Sequence, residues 1–227
     1  MKQFLRKVIN QKTTFHLIIM TVFCVFLSLC RIIFTARLMY AFLLWNLFLA
    51  IVPWFTAKVI FDNKFGKKTE TALMLLWLVF FPNAPYLLTD LIHLGKQPFA
   101  PRWFDLTLLL TYGFTGLFYG FESLKLIEEK IRGRFPKISP HILITVILYA
   151  ASFGVYIGRF LRWNSWDILS NFIPLIKDVL FIILHPVQNA AAWGFTFLFG
   201  TLLNLMYMIE KKVPAVKDRN FSQVDLF

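Results

Sequence analysis

Six stretches of about twenty mostly apolar residues, near 14–34, 38–57, 71–89, 104–122, 141–161 and 190–209, alternate with short loops, several of them rich in Lys and Arg. A helix rises 1.5 Å per residue, so each stretch matches the roughly 30 Å of a bilayer's hydrocarbon core. In lipid only a helix or a closed barrel satisfies its own backbone. The pattern predicts an all-α polytopic membrane protein, with one six-helix transmembrane domain over 14–209 between a basic N-terminal segment (1–13) and a basic tail (210–227). A soluble core of 227 residues could not bury a 58% hydrophobic composition with a mean hydropathy of +0.65.

Charge sets the direction of insertion. The N-terminal segment, the loops near 58–68 and 125–137, and the tail hold 17 of the 24 Lys and Arg residues. Basic residues stay on the cytoplasmic side, which places both termini there. The formal charge of +12 is thereby explained by insertion and anionic headgroups, and nucleic acid is not expected as a partner. The basic start followed by a long apolar stretch without a small-x-small cleavage site reads as an uncleaved signal anchor. Cys24 and Cys30 are turned about 600° from each other on a helix, so they point different ways and should remain reduced. Residues 172–185 carry Phe172, Leu175, Ile176, Val179, Leu180 and Ile183 on one helical stripe, with Lys177 and Asp178 off it, between Pro174 and Pro186. This reads as an amphipathic helix in the outer interface.

Two dense polar runs fall at the other end of the spans, Phe81-Pro-Asn-Ala-Pro-Tyr-Leu-Leu-Thr-Asp-Leu-Ile-His93 and Gly158-Arg-Phe-Leu-Arg-Trp-Asn-Ser-Trp-Asp167. Pro82 and Pro85 should break the third span, leaving Asn83 to face a polar cavity or a protein neighbour. Asp90 and His93, three apart, share a helical face and suit acid–base work. Asp105, Asp167 and His185 lie at no diagnostic spacing from them, so no metal site is assigned. Arg159 and Arg162, also three apart, suit bidentate contact with phosphate. The candidate catalytic residues are therefore Asp90, His93 and Asp167. Candidate substrate contacts are Asn83, Tyr86, Trp103, Asp105, Arg159, Arg162, Trp163, Asn164 and Trp166. An interfacial belt of Trp and Arg is the plainer account of several of these. Gly116-x-x-x-Gly120 and Gly154-x-x-x-Gly158 mark close helix packing. No phosphate loop, nucleophile elbow or H-E-x-x-H pair is present, and the cofactor is left open.

With Trp77 to Leu94, Trp103-Phe-Asp105 and Gly158 to Asp167 in view, the chain resembles a bacterial family of multi-pass membrane proteins called domain of unknown function 1361. The resemblance covers spans two to six and implies a bacterial cytoplasmic-membrane location, without an activity or a catalytic residue. Three functions compete. One is an outer-leaflet enzyme or binding protein for an anionic lipid-linked envelope substrate. Another is a small transporter gated by the proline-broken third helix, although Asn46 is its most central polar group. The third is a non-catalytic assembly partner of an envelope complex. The oligomeric state is left open.

Overall fold

The computed structural model describes residues 2–95, 99–134 and 139–212, with residues 2–11, 134 and 212 described by backbone alone. The basic tail beyond 212, Lys96 and Lys137 lie outside the described residues. Long helices dominate: α1 (Lys2–Thr35), α2 (Phe42–Asp62), α3 (Lys67–Phe80), α5 (Arg102–Arg134), α6 (Pro140–Tyr156) and α9 (Ala190–Lys212). Between them lie three shorter helices, α4 (Asn83–Tyr86), α7 (Asp167–Ser170) and α8 (Phe172–Leu184). No strand occurs among the described residues. The exterior is apolar, with Phe15, Val22 and Phe26 of α1 and Phe197, Leu198 and Leu205 of α9 turned outward. A water-facing bundle would hide these side chains. The protein is an all-α, polytopic membrane protein.

Five segments are long and apolar enough to cross a bilayer: Lys12–Thr35, Phe42–Asp62, Lys67–His93, Pro140–Leu161 and Ala190–Lys211. The sixth expected span, 104–122, lies within α5, which is not among them. Asp105, Thr107, Thr111, Thr115, Tyr112 and Tyr119 dilute its apolarity. The reason is positional: α1, α2, α4 and α6 all pack on α5, so a large part of its surface meets protein rather than lipid. Leu108, Leu109, Tyr112, Thr115 and Leu124 are fully enclosed.

Along the α1–α5 contact runs a polar ladder. Thr21 pairs with the Tyr119 hydroxyl at 2.9 Å, Cys24 with Thr115 at 3.4 Å, and Ser28 with the Tyr112 hydroxyl at 2.6 Å. Arg31 closes it, donating from Nε and Nη2 to Asp105 at 2.7 and 3.2 Å. Away from water these groups need protein partners, and antiparallel packing of the two helices supplies them, except to Arg31 Nη1, which has none among the described residues. Cys24 is thus a rung facing α5 rather than a lipid-facing thiol.

The prolines do not break the third span; they change its pitch. α3 ends at Phe80, Pro82 keeps helical backbone, and the chain continues through α4 into a 3₁₀ turn, Leu87–His93. Two carbonyls of the last turn of α3 find side-chain donors: Phe80 O accepts Asn83 Nδ2 at 2.9 Å and Val79 O accepts Ser165 Oγ at 3.4 Å. The bent segment is seated by glycines. A Cβ at Gly116 would lie 2.6 Å from Ala84 O, and one at Gly154 would lie 2.8 Å from Pro82 Cγ. Both small-residue motifs therefore serve packing within the chain.

At the basic end several charges are paired. Glu128 accepts from Tyr207, Lys211 and Arg132 at 2.8, 2.5 and 2.9 Å, and Lys125 bridges Glu122 and Glu210. These bonds tie α5 to α9 opposite the two polar runs.

α8, at 13 residues, spans about 20 Å and is too short to cross a bilayer. Its sequence stripe faces the protein in part: Leu175 is buried, Val179 is half-buried, and both line a cavity with Phe172 and Ile176. Leu175 and Ile182 are buried and Asp178 is half-buried, whereas Phe172, Ile176, Leu180 and Ile183 are exposed. Both sides of α8 are apolar, and Ile182, off the stripe, is buried as well.

Candidate functional site

The two polar runs meet across the third and fifth spans. Arg159 Nη2 donates to Asp90 Oδ1, its Nε donates to Thr89 Oγ1 at 2.9 Å, and its Nη1 lies 3.3 Å from His93 Nε2. The guanidinium also lies 4.0 Å from the centroid of the Tyr86 ring. From α2, Asn46 Nδ2 donates to Asp90 Oδ2 at 3.2 Å. Asp90 is completely buried. A buried carboxylate with one oxygen on a guanidinium and the other on an amide is electrically satisfied, and it holds the 3₁₀ turn against the end of α6. Asn83 adds a second tie, donating to Ser165 Oγ at 2.9 Å.

The end of α6 separates the two arginines. From Ile157 to Leu161 the helix widens into a π turn, and Arg162 takes left-handed backbone at φ 63°, ψ 28°. That geometry costs a residue with a Cβ roughly 1–2 kcal/mol. The reversal breaks the shared face expected from i, i+3 spacing: Arg159 turns inward while Arg162 is exposed.

Beyond Arg162 the chain folds around Asp167. Its carboxylate accepts from Asn164 N at 2.7 Å, Asn164 Nδ2 at 3.3 Å, Asn171 Nδ2 at 3.1 Å and Ser170 Oγ at 3.3 Å. Donation from the Asn164 backbone and the Asn171 side chain holds it below the ordinary carboxylate range. Asp167 thus stays ionised at neutral pH and organises the 164–171 turn. Trp163 Nε1 donates to Asp178 Oδ2 at 2.8 Å and fastens α8 to the same turn.

Between α2, the bent third span, α6 and the segment 163–179 lies a cavity of about 580 Å³. Of the residues expected to touch a substrate, Asn83, Tyr86, Trp163, Asn164 and Trp166 line it. Trp45, Asn46 and Ser165 join them, unforeseen from sequence, beside an apolar wall that includes Leu49, Val79, Val155 and Leu175. Asp90, His93, Arg159, Arg162 and Asp167 do not line it; Asp90 reaches it through Asn46 and through Arg159 stacked on Tyr86. Trp103 and Asp105 are elsewhere, Trp103 largely exposed and Asp105 buried against Arg31. No cluster of three or more His, Cys, Asp or Glu suited to a metal occurs among the described residues.

Residues 45–206 match the family described as Protein of unknown function (DUF1361). No curated protein and no solved structure shows a significant match. Every cavity-lining residue falls inside the matched stretch, whereas α1 and its ladder residues precede it.

Proposed function

This chain belongs to the DUF1361 family of proteins of unknown function, and we propose that its cavity is an outer-leaflet binding site for a membrane amphiphile. The carrying observation is the cavity itself. Amide and indole groups from both polar runs converge at it beside an apolar wall, in a bundle whose outer faces suit lipid. Loop charge turns this end away from the cytoplasm, in a bacterial cytoplasmic membrane. Binding is favoured over catalysis because no Asp, Glu, His, Lys or Arg is among the lining residues. On this reading Asp90, Arg159 and Asp167 are positioning residues that hold Asn46, Tyr86 and Asn164 in place. His93 packs on the same pair from outside the cavity.

The test is a single cysteine at Ile168, a half-buried lining residue without a polar side chain, in a Cys24→Ser, Cys30→Ser background. A membrane-impermeant maleimide added to intact cells should label Ile168→Cys. In vesicles, an extract of the host's own lipids should slow that labelling several-fold. Labelling only after the inner face is opened, or a rate indifferent to the extract, would remove the proposal.

A further inference from the structure

The hydrogen bonds around the cavity restrict what its ligand's headgroup can be. Asn46 Nδ2 and Asn164 Nδ2 each donate to a carboxylate, which can only accept, so both amide orientations are settled by chemistry. Asn83 Nδ2 donates to Phe80 O and Ser165 Oγ. The amide donors of all three residues therefore point into the protein. All three residues line the cavity, and their recorded side-chain hydrogen bonds among the described residues run through Nδ2, none through Oδ1. The Trp163 indole is taken by Asp178. The indole N–H groups of Trp45 and Trp166 and the Tyr86 hydroxyl remain for a ligand. Trp45 and Trp166 meet edge to face, 6.2 Å between centroids, and both are substantially exposed.

We infer, building on the binding reading above, that the headgroup is an uncharged, hydroxyl-rich, sugar-like group. Hydroxyls donate to the amide oxygens and accept from the indole and phenol groups, while the apolar faces of a sugar ring lie against indole. A phosphate or carboxylate would meet three carbonyl oxygens with no cation in the lining. An ammonium group could use the oxygens but would leave the indole and phenol donors unmet.

The labelling rate of Ile168→Cys in phosphatidylcholine vesicles separates these chemistries. Adding glucosyl-diacylglycerol should slow labelling roughly tenfold and saturably. Its permethylated form, phosphatidylglycerol and phosphatidylethanolamine should each leave the rate within about twofold. In Trp45→Ala, whose side chain is half exposed, the half-saturating fraction of the glucosyl lipid should rise roughly tenfold, about 1.4 kcal/mol. Equal protection by the permethylated lipid, by phosphatidylglycerol or by phosphatidylethanolamine would overturn the headgroup and leave the amphiphile site standing. Protection by the host lipid extract without protection by the glucosyl lipid would do the same. If the extract also fails to protect, the binding reading falls with it.

Discussion

Arg159→Met should cost about 3–5 kcal/mol of stability, because it leaves the completely buried Asp90 carboxylate with the Asn46 amide and, 4.0 Å away, His93 Nε2 in place of the guanidinium. In detergent the variant should unfold at a clearly lower temperature, or fail to accumulate, whereas Arg162→Met should behave as wild type because that side chain is exposed. The double variant Arg159→Met with Asp90→Asn should recover much of the loss, since no unpaired charge then remains. Thermal unfolding followed by size-exclusion chromatography reads all three. If Arg159→Met and Arg162→Met lose equally little, the buried pair contributes no more than a surface pair and the positioning role assigned to it is wrong.

Gly116→Val should be comparably damaging for a steric reason. Even the first carbon of the new side chain would press on a backbone oxygen, Ala84 O, at 2.6 Å and on Leu87 Cδ1 at 2.7 Å. The bent third span cannot shift away from α5 without moving Asn83 and Tyr86, which it carries. Overpacking of this kind costs about 1–3 kcal/mol for a single added methyl group and more for a branched one. Gly194→Ala in α9 is the matched control, because nothing lies within 4 Å of its added carbon. It should be neutral or stabilise by up to about 1 kcal/mol, as alanine does in a helix. Equal unfolding temperatures for the two variants would mean that the Gly116 contact is loose and that the bent span is not held by α5.

The apolar spans and the meeting of the two polar runs were legible because both follow from local rules, the length of apolar stretches and the need of buried polar groups for partners. Asn83 shows the second rule well: prolines nearby implied freed carbonyls, and its amide caps one of them. What misled was side-chain direction. The i, i+3 spacing of Arg159 and Arg162 assumes α-helical backbone, and the π turn and left-handed Arg162 that separate them leave no local signature. Asp105 looked like a site residue because its partner, Arg31, lies 74 positions away in the chain. A signal for that partnership was present, since Thr21, Cys24, Ser28 and Arg31 recur every three or four residues on one face of α1. In α8 the stripe supplies Leu175 and Val179 to the cavity, but Ile182, off the stripe, is buried too, because both faces of the helix are apolar. Trp45 and Ser165 were missed because they become lining residues only when α2 and the 163–179 segment come together.

The most direct test of the amphiphile site is mass spectrometry of the lipids that remain with the purified protein after exhaustive detergent exchange, comparing wild type with Ile168→Trp. The new indole would fill part of the cavity without touching the Asp90 and Arg159 pair. One lipid species retained near one per chain by wild type and absent from a folded Ile168→Trp variant is the expected result. The same lipid complement in both, or none retained by either, would contradict the claim that this cavity exists to hold an amphiphile.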